Sequence, residues 1–163
     1  MLKIFVASAL VCFVTATAGA QTKVAGTAQF GKPDSQHAIP VGDRPDHSLE
    51  VVQTKCTWSK SMEIGGANSK DGVNTETSEI RGNTVQTRGF HVSTMDSGDK
   101  FFVSYQGSTT TKEGALQNGK GNWTFTGGTG KLKGIKGKGT YTCAPSGDMI
   151  SCAVEGEYQL PNQ

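Results

Sequence analysis

Charge of one sign is the first thing this sequence lacks. Of its 163 residues, 16 are Lys or Arg and 14 are Asp or Glu, a formal net charge of +2. A dedicated nucleic-acid binder carries a basic excess that neutralises phosphates, so the near-balance argues against that class. Aromatic residues are scarce at 7%, and only three histidines are present. No window of helical length repeats apolar residues at a period of 3.6, which argues against a helical bundle. Long hydrophobic runs are absent beyond residue 14, so no later stretch approaches the ~20 apolar residues of a membrane-spanning helix. Hydrophobic residues make up 34%, below the usual ~45–50% that counts glycine. The chain is nevertheless neither highly charged nor of low complexity, which separates it from disordered chains.

The N-terminus has the layout of a secretory signal. Lys3 precedes the apolar run Ile4 to Val14, and Ala18-Gly19-Ala20 offers a cleavage site before Gln21. That run, about 11 residues, is too short to cross a bilayer. Residues 1–20 are expected to be removed, leaving 143 residues with 15 basic and 14 acidic side chains, one domain's worth of chain. Glycine is the outlier: 21 remain in the mature chain, about 15% against a typical ~7%. A secreted or periplasmic location follows, where disulfides persist. Cys12 leaves with the signal. Cys56, Cys143 and Cys152 remain, enough for one bridge and one free thiol, with three pairings open at this point.

Along the mature chain, residues 21–47 hold Pro33, Pro40, Pro45, Gly26, Gly31 and Gly42 and read as an irregular arm. Residues 48–163 read as a β-domain. Strand candidates recur at short intervals: Leu49 to Trp58, Val73 to Ile80, Val85 to Met95, Phe101 to Ser108, Asn122 to Thr126, Gly137 to Cys143 and Met149 to Leu160. Evenly spaced strands without helices predict an all-β sandwich or barrel. The last two strands allow a register to be deduced. With Gly147-Asp148 as a two-residue turn, Cys143 faces Cys152, Tyr141 faces Val154, Gly139 faces Gly156 and Lys138 faces Glu157. One face is then apolar and the other charge-complementary. This register predicts a Cys143–Cys152 disulfide and a free Cys56. The opposed glycines suggest a sharp bend, as a closing sheet uses.

The run from Phe125 to Tyr141, FTGGTGKLKGIKGKGTY, is the most distinctive. Gly130-Lys131 is followed by Leu132 and no helical pattern, so a nucleotide P-loop is excluded, and Lys133 breaks a dinucleotide fingerprint. Lys131, Lys133, Lys136 and Lys138 form a basic ridge, read first as a solvated face and second as a surface for an anionic partner. Trp123 and Phe125 share one side of their strand and read as core. Together with the preceding Gly121-Asn122-Trp123-Thr124, this run resembles the glycine-rich segment of the allene oxide cyclase and dirigent superfamily, and is most similar to uncharacterised bacterial secreted members. The resemblance covers about sixteen residues closely and residues 48–160 more loosely. It implies an antiparallel barrel of about eight strands, an interior able to hold a small apolar ligand, and a homo-oligomer. No catalytic residue of that superfamily matches here position by position.

Candidate chemistry is thin. His37 and His47 fall in the arm and His91 in a strand; none joins a Cys-x-x-Cys or His-x-His, so no metal and no cofactor is implied. Cys56 reads as a buried, inert thiol. Tyr105, Tyr141, Tyr158, Glu63, Glu79 and Arg88 are polar candidates for a barrel interior. Asn122-Trp123-Thr124 fits a glycosylation sequon. The favoured function is uptake of a small apolar ligand without turnover, with Tyr141, Val154 and Tyr158 lining the space. A surface-binding protein using the lysine ridge, and a cyclase- or isomerase-like enzyme on an oxidised lipid or polyketide-like substrate, are the alternatives. No nucleic-acid partner and no membrane span are expected.

Overall fold

The computed structural model describes residues 21–161; the expected signal, residues 1–20, lies outside them. The strands are β1 (Thr22–Phe30), β2 (Ser35–Pro40), β3 (His47–Lys60), β4 (Glu63–Ile64), β5 (Ala67–Arg81), β6 (Thr84–Met95), β7 (Lys100–Lys112), β8 (Ala115–Gly128), β9 (Lys136–Ser146) and β10 (Met149–Gln159). A single 3-10 turn, Gly130–Leu132, interrupts the described β-structure, and no helix among the described residues is long and apolar enough to cross a membrane. β5 through β10 pair in sequence as an antiparallel meander, β10 pairs with β1, β1 with β3, and β3 with β5. That circuit is a closed eight-stranded antiparallel barrel, the fold class expected from the sequence. β2 and β4 are additions to it.

The segment 21–47 departs from the irregular arm expected. β1 lies between β10 and β3, with Phe30 opposite both Ile150 and Cys56, so it closes the barrel. Its alternate residues Val24, Gly26 and Ala28 are buried, while Lys23 and Ala25 are exposed. Gly31 and Pro33 mark only the step from β1 to β2. β2 then continues along the same edge of β3, pairing Ser35 with Gln53 and Ile39 with Leu49. Pro40 is tolerated there because a strand bordering one neighbour need not donate on its outer side.

The β9–β10 hairpin has the deduced register throughout, from Met149 opposite Ser146 to Gln159 opposite Lys136. Gly147 takes φ 61° in its turn, the left-handed conformation that a two-residue hairpin loop requires. Cys143 and Cys152 are bridged across it, and Cys56 is free and buried.

One end of the barrel is plugged. Met62, Ile64, Met95, Leu132, Ile135 and Tyr158 pack together there, each 9% exposed or less. The glycine–lysine segment supplies part of the plug. Its 3-10 turn buries Leu132, and the Lys131 backbone N–H donates to the Asp99 carboxylate at 3.2 Å. That backbone amide is thus engaged within the chain.

Candidate functional site

The interior of the barrel is built in layers in which large side chains lie over glycines. One row across β5 to β10 reads Glu76, Gly89, Tyr105, Trp123, Gly139, Gly156; the next reads Ser78, Thr87, Gly107, Gly121, Tyr141, Val154. Tyr105 crosses Gly89 and donates its hydroxyl to Glu76 Oε2 at 2.6 Å. Trp123 lies across Gly139 and Gly156, and its indole Nε1 donates to the Thr140 carbonyl at 3.1 Å. Tyr141 lies across Gly121 and Gly107, whose added Cβ atoms would collide with its hydroxyl. Glycine enrichment therefore reports more than bends: these positions leave room for rings laid flat along the wall.

Between the plug and the β5–β6, β7–β8 and β9–β10 turns lies a cavity of about 340 Å³. That is the lower end of the range for small-molecule sites. Phe30, Val52, Trp58, Val103, Trp123 and Ile150 provide apolar wall, and the Cys143–Cys152 bridge lines the side nearer the turns. The aromatic rings pack edge-on, Phe101 on Phe125 at 5.5 Å and Tyr105 on Tyr141 at 6.0 Å between centroids.

Several ionisable groups face this space. Burial raises Glu76, opposed by the hydrogen bond from Tyr105 and assisted by nearby Glu50. Burial likewise raises Tyr105, with the Glu76 charge adding to it, and pushes Tyr141 up to about 12. His91 is buried; desolvation lowers it to about 4, and its Nδ1–H donates to Asn74 Oδ1 at 2.6 Å. Cys56, buried in β3 but not on the cavity wall, is pushed by burial to about 12, the condition of an inert thiol. Trp58 Nε1 donates to Ser93 Oγ at 3.2 Å. The polar groups are thus largely engaged with one another. A nucleophile with an adjacent base, the arrangement that covalent catalysis needs, is not among these pairs.

Of the three residues expected to line the interior, Tyr141 and Val154 do. Tyr158 instead belongs to the plug, where its hydroxyl accepts from the Gly65 N–H at 3.2 Å. Leu132 and Ile135 cap the barrel below it, so the inward direction of Tyr158 leads into packed core. Glu63 and Arg88 are exposed, and Glu79 sits at the surface between His47 and Arg81. The His47 hydrogen bond, then Arg81, hold the Glu79 carboxyl below its ordinary value. His47 meets Asp43 at 2.5 Å through Nδ1 and Glu79 at 2.9 Å through Nε2, which pins the approach to β3. His37 is exposed. Lys131, Lys133, Lys136 and Lys138 are all exposed, with Lys138 opposite Glu157. Glu76 and Asn74 were not singled out in the sequence, because outward Thr75 and Thr77 are as polar as their inward neighbours.

No family model matches the chain, and no curated protein matches it. Among solved structures it is similar to a conserved protein of unknown function from Rhodopseudomonas palustris, at 10% identity and TM-score 0.49, over 85% of this chain and 98% of that one. It is also similar to a pterocarpan synthase dirigent protein, at 11% identity and TM-score 0.48, over 98% of this chain and 100% of that one.

Proposed function

We propose that this protein is exported and takes up a small, largely apolar ligand in its barrel without converting it. The observation that carries the reading is the cavity of about 340 Å³, walled by aromatic and aliphatic side chains with most of its polar groups paired internally. Affinity then comes from burial of apolar surface and depends little on salt. Export is supported by the signal-like leader and by the Cys143–Cys152 bridge, which suits an oxidising compartment. A homo-oligomer is supported by the exposed outer face of β2, β3 and β6, where Ile39, Leu49, Val51 and Phe90 are 52–63% exposed.

The test is native mass spectrometry of the mature protein with fatty acids, alcohols and terpenoids, followed by chemical analysis of whatever is recovered. Uptake is expected to weaken in Val154→Phe, which fills the cavity, and to persist when Lys131 and Lys133 are neutralised. Recovery of an altered ligand would turn the reading toward an enzyme using the partly buried Glu76. Absence of uptake together with salt-sensitive binding to anionic polymers would turn it toward the lysine ridge.

A further inference from the structure

The electrostatics of the cavity point to a narrower class of ligand. Among the described residues Glu50 and Glu76 are the only formally charged side chains on its wall, and neither Lys nor Arg lines it. Glu76 receives the Tyr105 hydroxyl on Oε2, while no donor among the described residues reaches its Oε1. Glu50 accepts from Gln36 Nε2 at 2.8 Å on one oxygen only. His91 donates through Nδ1 to Asn74, so Nε2 is left as a lone pair, buried and without a partner. The indole N–H groups of Trp58 and Trp123 are taken by Ser93 and Thr140, and both rings line the space. Phe30, Phe101, Tyr105 and Tyr141 add further rings.

With no Lys or Arg on the wall the two carboxyl groups concentrate negative charge there, and the Glu50 charge adds to burial in raising the cost of ionising Glu76. A cation offsets that cost, and beside a partly buried carboxylate and aromatic faces its attraction is stronger than in bulk water. A carboxylate-headed ligand meets like charge instead. We propose, building on the ligand-binding reading above, that the cavity is selective for a lipophilic amine, whose ammonium group donates to Glu76 Oε1 while its apolar body lies against Trp123, Val154 and Ile150. This role gives Glu76 a purpose that packing alone does not, since a partly buried carboxyl is costly to ionise unless something engages it.

Calorimetric titration of the mature protein at pH 7 with octylamine, octan-1-ol and octanoate separates head group from tail. Octylamine is expected to bind about tenfold or more tightly than octanol, the scale of a hydrogen bond to a charged group, and octanoate most weakly. Glu76→Gln, whose amide oxygen still accepts from Tyr105, should remove the advantage of the amine over octanol. Equal binding of amine and alcohol, or tightest binding of octanoate, overturns the amine selectivity and leaves the ligand-binding reading intact. If none of the three binds, both fall. The three-ligand comparison is made on the unsubstituted chain, so it decides the matter even if Glu76→Gln folds poorly.

Discussion

Acidification should destabilise this barrel through one buried side chain, His91. It lies inside the wall opposite Asn74, its Nε2 has no acceptor, and burial lowers its pKa from 6.5 to about 4. The folded protein therefore keeps the imidazole neutral, while the unfolded chain takes up a proton as the pH drops below 6.5. The contribution is fully present above pH 6.5, declines as pH falls toward 4, and is lost below that. At about 1.4 kcal/mol for each tenfold difference in proton affinity, the span corresponds to roughly 3 kcal/mol. Other groups titrate in the same experiment. Glu76, raised by burial, contributes with the opposite sign, and the lowered carboxyls of Asp34, Asp43 and Glu79 act below their ordinary range. Comparison with His91→Gln isolates the effect, because the amide N–H can still donate to Asn74. Urea unfolding of both proteins at pH 7 and pH 4 should show their stability difference shifting by about 3 kcal/mol in favour of the variant at low pH. The same pH dependence in both proteins would refute the reasoning.

Reduction of the Cys143–Cys152 bridge, which spans a sequence separation of 9, should cost about 2.6 kcal/mol by the chain-entropy relation, read from urea midpoints with and without reductant. Peptide mapping should find Cys56 unpaired. Gly121→Ala should destabilise by about 1–3 kcal/mol, because the new methyl meets both the Tyr141 ring and the Gln106 carbonyl; adding Tyr141→Phe should restore only part of this, since the carbonyl remains. The exported protein should begin at Gln21, and intact mass would show it; a product that keeps residues 1–20 contradicts the leader reading.

The final hairpin was legible because its register follows from local information alone. Once Gly147-Asp148 turns the chain, Cys143 must face Cys152 and Lys138 must face Glu157. β1 was hidden for the opposite reason. Its partners on β3 and β10 are remote in sequence, its inward positions Gly26 and Ala28 are small, and Pro33, Pro40 and Pro45 nearby read as breakage. Tyr158 follows the same alternation as Val154, yet its fate is decided by Leu132 and Ile135, brought beneath it by the turn between β8 and β9. The Glu76–Tyr105 bond was beyond local reading as well. It spans three strands, and only the pairing of Glu76 with Gly89 and of Gly89 with Tyr105 brings the two groups into line.

Indole fluorescence tests the central claim, uptake of a ligand inside the barrel, most directly. The chain has two tryptophans, Trp58 and Trp123, and both line the cavity, so an occupant must perturb one or both. Titration with a small amphiphile such as octylamine or octanol should give a saturable emission change with one site per chain, much weakened in Val154→Phe. Saturable binding by equilibrium dialysis with indole emission unchanged would place the ligand outside the barrel and contradict the account.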